Sequence, residues 1–361
     1  GSGKILNTIF GIDPLQGITL GAFVIILYTI MGGLLAVAWT DLLQGILMIG
    51  TLVILPIVGL IELSSLEQPL SELLVSNDPA KSSLFAGMTG LAALSVATGG
   101  LSWGLGYFGQ PHLLIRYMAI SSVKEVKKAR WIASLWAIPG ISGAFLIGIV
   151  GMAYFGEDFF IGKDPEIIMP LLAQTLLPGW LAGLLISGAV AAMMSTADSQ
   201  LLVSTSAISE DLGINAIKKR KESDTLLNTR IITVLLGIFA YIVAMYSEYS
   251  GNTIFSIVSF AWSGLGSSFG PAVLLALWWN KTTREGVISG LFTGAITTLI
   301  WGSSPYLKSI VTERLSSFVF AFLAIVIVSK YKKTTKINTG SSKNSILQSG
   351  SYGVVVEETE K

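Results

Sequence analysis

The chain has 361 residues, 52% of them hydrophobic and only 12% charged, with a mean hydropathy of +0.70. Soluble domains carry about 25% charged residues, so the polar surface needed in water is missing, and a net charge of +1 offers no concentrated basic face for nucleic acid. The absence of cysteine excludes disulfides, thiolate metal centres and a cysteine nucleophile, and a single histidine leaves little room for a transition-metal site.

The chain opens Gly-Ser-Gly-Lys, with no initiator methionine and no signal-peptide pattern, which reads as the middle of a longer protein. A membrane span needs about 20 mainly apolar residues. Nine segments qualify: 16–37, 42–63, 86–117, 130–155, 178–208, 229–247, 252–279, 285–303 and 312–330. An all-α membrane protein is therefore expected, with a transmembrane domain over 1–330. Residues 331–361, rich in Lys, Ser, Thr and Gly, read as a polar tail. Basic residues set the orientation. Arg116, Lys124, Lys127, Lys128 and Arg130 fall between spans three and four, and Lys218 to Lys221 with Arg230 between five and six. Lys281 and Arg284 follow span seven, and Lys330, Lys332, Lys333 and Lys336 begin the tail. The alternate loops carry fewer: Lys81, then Lys163, then Lys308 and Arg314. The first set, and the C-terminus, are expected in the cytoplasm.

Span three is irregular. In TGGLSWGLGYFGQPHLLIRYM five glycines precede Pro111. Each glycine costs about 1 kcal/mol of helix relative to Ala, and freed backbone groups at membrane depth need protein or a wet cavity. The segment is either a broken helix lining a site or a kinked, close-packed one. Span seven repeats the feature more mildly in AWSGLGSSFGPAVLL. Trp103 and Tyr107 lie four apart beside the glycines and share a helical face, forming either a pocket wall for a small zwitterion or part of an aromatic belt. His112 reads as a neutral hydrogen-bonding residue rather than a proton carrier. Arg116 ends the span, as a snorkelling residue or a gating one.

Span five holds the densest polar cluster, AAMMSTADSQLL. Gly179, Gly183, Ser187, Ala191, Ser195 and Ser199 recur every four residues, a stripe that helix packing explains in its first half. Packing does not explain Asp198, because a carboxylate at membrane depth is by default a functional-site candidate. No Lys or Arg lies in spans four to six near mid-membrane, and the second acid is Asp41, at the joint of spans one and two. Two carboxylates with Ser195, Thr196 and Ser199 make an all-oxygen set that suits a small hard cation. Magnesium or calcium would ask for more carboxylates or waters, so sodium fits best. The alternatives are a local role for Asp198, capping a helix break or bonding Gln200, and N-capping of span two by Asp41. No nucleophile–base set and no phosphate-binding loop appears, so neither an enzyme nor an enzymatic cofactor is expected.

GGLLAVAWTDLLQ, WGLGYFGQPHLLIRYM, AAMMSTADSQLLVSTSAISEDL and SFAWSGLGSSFGPAVLL together closely resemble the sodium:solute symporter family, in the same order and spacing from about residue 4 to about residue 330. The WGLGYFGQPH stretch leans toward its proline branch. The resemblance implies a LeuT-like inverted-repeat core in a bacterial cytoplasmic membrane, with ion and solute near the midplane between broken helices. It implies one sodium held by the Ala192 carbonyl and the Ser195 and Thr196 hydroxyls. It implies a second at Asp41, Ser195, Thr196, Asp198 and Ser199, with Asp198 standing where some relatives have Ser. The solute site it implies comprises Trp103, Tyr107, Gln110 and Pro111, with Arg116 in gating or coupling. Family members carry about four more helices ahead of these motifs, so a truncated form that does not transport unaided is a further expectation. Rival readings are another solute of the family (pantothenate, a sugar or sialic acid), a passive ion channel, and a non-transporting product.

Overall fold

The computed structural model describes residues 1–32, 34–65, 70–73, 83, 85–156, 158–212, 222–251 and 253–331, and all regular structure among them is helical. In chain order the helices are α1 (Ser2–Phe10), α2 (Pro14–Met31), α3 (Leu34–Ser64), α4 (Leu70–Leu73), α5 (Gly90–Gly106), α6 (Pro111–Met118) and α7 (Val123–Phe155). They continue with α8 (Ile168–Leu176), α9 (Gly179–Ser206), α10 (Glu222–Tyr249), α11 (Ile254–Trp278), α12 (Arg284–Ser303), α13 (Pro305–Ile310) and α14 (Glu313–Tyr331). Apart from Tyr331, the expected tail lies outside the described residues.

Among the described residues, eight helices are long and apolar enough to cross a membrane, so the chain is a multi-pass membrane protein. The ninth expected span is the irregular one. It is broken: α5 ends at Gly106, a 3₁₀ turn covers Tyr107–Gly109, Gln110 is extended, and α6 restarts at Pro111. Pro111 sits at the first turn of α6, where its missing amide costs nothing. Local signals set other ends. Asp13 caps α2, accepting from the Leu15 amide at 3.0 Å ahead of Pro14. Ser122 caps α7 through the Glu125 amide at 3.3 Å, and Gly11 closes α1 at φ 65°.

The chain divides into two compact units. The first comprises Gly1–Ala93 and Pro111–Ser259. Its core joins Leu55 of α3, Val150 of α7, Leu172 and Ala173 of α8, and Leu185 and Ile186 of α9. α9 packs along α3, and Thr51 ties the two by donating to the Leu185 carbonyl at 2.8 Å. A Cβ on Gly188 would lie 2.1 Å from Thr51 Oγ1, so this crossing needs glycine. Gly179 and Gly183, assigned above to helix packing, have no such neighbour among the described residues. The close approach is made by Gly188, one residue off the expected stripe.

The second unit comprises Leu94–Gln110 and the chain from Phe260 onward. α12 and α14 pair through Gly286 and Gly290, of which Gly290 leaves room for Ile325, whereas Gly294 faces the Ser267 and Ser268 backbone of α11. Ala272 and Leu275 of α11 share a buried cluster with Ile325. The end of α5 lies against α11 so closely that a Cβ on Gly266 would meet the Gly106 Cα at 2.5 Å.

Candidate functional site

Asp41 does not cap span two. α3 begins at Leu34, so Asp41 lies within the helix, about two turns past its start. The apolar run of span one had hidden the helix end at Met31 and Gly32 (φ −85° and ψ −138° at the glycine). α9 likewise passes through Asp198 without a break, which removes the break-capping role. Asp198 is completely buried, and its Oδ2 accepts a 2.8 Å bond from the Tyr28 hydroxyl of α2. Tyr28 also reaches the Met194 carbonyl at 3.2 Å.

Asp41, Asp198 and Ser199 converge. Ser199 Oγ lies 3.4 Å from Asp41 Oδ2, 3.3 Å from Asp198 Oδ1 and 2.7 Å from the Ser195 carbonyl. The cation that spans four to six lack arrives from α6. The Arg116 guanidinium pairs with Asp41 Oδ2 and lies 2.5 Å from Ser199 Oγ, while its side chain stays 46% exposed, so it engages the cluster from the cluster's open side. Asp41 Oδ1 is buried with no hydrogen-bond partner. A cleft of about 210 Å³ opens beside these groups, lined by Asp41, His112, Arg116 and Ser199. His112 is buried at its wall. With both carboxylates ionised, the formal charge of the cluster is one negative unit, since the two carboxylates are balanced by one guanidinium, paired with Asp41.

One turn earlier on α9, the Ser195 and Thr196 hydroxyls both lie 3.1 Å from the Ala192 carbonyl. Ala192 also lines a second cleft, of about 260 Å³, with Met48, Thr51, Gly188 and Met193 among its walls. The expected sodium ligands thus form two groups: Ala192, Ser195 and Thr196 of α9, and then Asp198 and Ser199 of α9 with Asp41 of α3.

The expected solute residues fall on the broken segment. In the second unit, Trp103 and Tyr107 share the Trp262 ring of α11. The centroid distances are 6.1 Å and 4.9 Å, and the Tyr107 contact is edge-on at 81°. Tyr107 is 53% exposed, so the aromatic group is open on one side. Gln110 is 1% exposed, and its amide donates to the Gly106 carbonyl at 3.2 Å and weakly to that of Trp262 at 3.4 Å. Its side chain braces the break. Pro111, in the first unit, begins α6. Two residues of these clusters escaped the sequence reading. Tyr28 is one aromatic among many in the spans and carries no signal. Trp262 had one, since it stands at the head of the glycine-rich part of span seven.

An all-helical, multi-pass chain with a discontinuous helix and carboxylates converging inside it has the architecture of a secondary transporter. The comparisons agree. The sequence profile of the sodium:solute symporter family matches residues 1–294. The high-affinity proline transporter PutP of Bacillus subtilis is 39% identical over 329 residues, which is 91% of this chain and 67% of that protein. The sodium/proline symporter of Escherichia coli is 34% identical over 331 residues, or 90% and 64% of the two chains. The solved structure of a Na⁺-coupled sialic acid symporter, in a substrate-bound outward-open state, superposes with a TM-score of 0.71. It is 21% identical and covers 93% of this chain and 71% of that one. The fold is thus of the LeuT-like transporter class. The chain belongs to the sodium:solute symporter family, and it spans about two thirds of the length of these curated relatives.

Proposed function

We propose that the chain belongs to a sodium-coupled symporter that carries L-proline into the cell across a bacterial cytoplasmic membrane, with its C-terminus cytoplasmic. The observation that carries the ion assignment is the meeting of Asp41, Asp198 and Ser199 beside a cleft, with Asp41 Oδ1 buried and unpartnered. One uncompensated negative charge in an all-oxygen setting favours a single hard monovalent cation. Proline as solute is supported by the names of the relatives and by the aromatic group at the break of α5 and α6.

Sodium is a transported substrate here, and coupling follows from charge. Without it the only cation beside the two carboxylates, among the described residues, is the Arg116 guanidinium, which pairs with Asp41. When sodium enters, it supplies the missing charge and relaxes the demand on Arg116. Arg116 belongs to α6, which follows the helix break directly, so ion occupancy acts on the segment that adjoins the proposed solute residues in the chain. Coupling is then the difference in sodium affinity between the carrier's two facing states. The membrane potential adds about 2.3 kcal/mol per charge per 100 mV.

The test is uptake of labelled L-proline into vesicles holding the protein as its gene encodes it. Uptake should accumulate solute only under an inward sodium gradient and should be competed by unlabelled proline, not by pantothenate, sugars or sialic acid. Competition by one of those instead would replace the solute. Conductance without accumulation would make the protein a channel.

A further inference from the structure

The first turn of α14 carries two buried charges, Glu313 and Arg314, with side chains only 11% and 10% exposed. A cation in the first turn of a helix opposes the macrodipole, and a charge near membrane depth is retained where something uses it. Glu313 approaches Arg314 at 3.7 Å, and Glu313 Oε1 also accepts from Ser263 at 3.2 Å. The guanidinium also reaches α5. Its Cζ sits 4.4 Å above the Trp103 ring, and its Nε donates to Ser102 Oγ at 3.2 Å. Ser102 in turn donates to the Gly99 carbonyl at 2.6 Å, and the Arg314 carbonyl accepts from Ser267 of α11 at 3.2 Å. The Trp103 carbonyl accepts from Trp262 Nε1 at 3.2 Å.

We propose that Arg314 is a positioning residue for the solute site: its guanidinium, held over the Trp103 ring and bonded to Ser102, fixes the orientation of the indole that the solute meets. The inference rests on the assignment of Trp103 to the solute site. Reaching the ring face and Ser102 together calls for the broad, delocalised cation of arginine, and a lysine ammonium at the same place keeps the charge beside Glu313 without the Nε donor or the fork. A residue that merely holds the fold would change the amount of working carrier, and so the maximal rate. A residue that sets the angle of a binding wall changes KM.

Proline uptake is measured in vesicles containing the whole carrier with Arg314→Lys, Ser102→Ala and Trp103→Ala. Arg314→Lys should raise KM for proline at least fivefold. Its maximal rate per molecule in the membrane, and its sodium half-saturation at saturating proline, should stay within twofold of the parent. Ser102→Ala, the milder change, should raise KM two- to threefold and keeps the question open to measurement if the lysine variant does not fold. If Trp103→Ala raises KM while Arg314→Lys and Ser102→Ala leave it at the parental value, the positioning role is overturned and the solute site stands. If Trp103→Ala also leaves KM unchanged, the solute site itself is wrong.

Discussion

Asp198 accepts hydrogen bonds from two hydroxyls, those of Tyr28 and Ser199, whereas Asp41 receives the Arg116 guanidinium. The two acids were visible in the sequence because carboxylates stand out in apolar runs. Their partners were not, since an aromatic in a span is ordinary and an arginine at a span's edge is usually solvated. Tyr28→Phe removes one donor from a fully buried carboxylate and should cost about 1–3 kcal/mol, read as an earlier thermal unfolding in detergent. Outside the spans, Lys4 bridges Asp164, at 2.6 Å, and Glu166. Glu166 also accepts the Phe255 and Ile254 amides at 2.8 and 3.0 Å, at the start of α11. Burial alone would raise both carboxyls, but the Lys4 hydrogen bond and these amides (for Asp164, the Glu166 amide) outweigh it and hold them below the usual range. Burial likewise lowers the Lys4 ammonium, and its two acidic partners outweigh that and raise it. The carboxylates therefore contribute stability above their ordinary pKa values that is lost as pH falls through the depressed ones. Lys4 contributes below its ordinary value and loses its share as pH rises through the raised one. Unfolding midpoints measured from pH 3 to 7 should fall on the acid side in the parent, and Glu166→Gln should flatten that fall.

At the scale of elements, α9 shows what periodicity reveals and what it hides. Its small residues were legible as a stripe, yet the stripe alone could not say which of them meets a neighbour. That depends on the crossing with α3, which is set by tertiary packing. Gly188→Ala places a Cβ 2.1 Å from Thr51 Oγ1 and 2.8 Å from the Leu47 carbonyl. This overpacking should cost about 1–3 kcal/mol. Gly183→Ala meets nothing within 4 Å and should stabilise α9 by up to about 1 kcal/mol through helix propensity. Thermal unfolding of the two variants side by side checks both signs. The break in span three was legible because glycines and Pro111 disfavour a continuous helix whatever surrounds them. The joint of the first two spans was misplaced, because the hydrophobic run gives no sign of the helix end at Met31 and Gly32.

For the whole molecule, nine apolar segments, four long motifs and a low charge content were enough to read a membrane carrier. Arg314 shows where that reading stopped: counted as a loop charge in setting orientation, it is buried in α14 against Trp103. Charge counting sees only where a residue falls between apolar runs, whereas its burial follows from helix contacts distant in sequence. The account stands on the ion site, and transport rates mix ion binding with every later step. Equilibrium binding of radioactive sodium to the purified carrier isolates it. The parent should bind sodium saturably, and Asp41→Asn and Ser199→Ala should each raise the half-saturating concentration at least tenfold while the protein remains folded. Unchanged sodium binding in both variants would contradict the assignment of the ion to these oxygens.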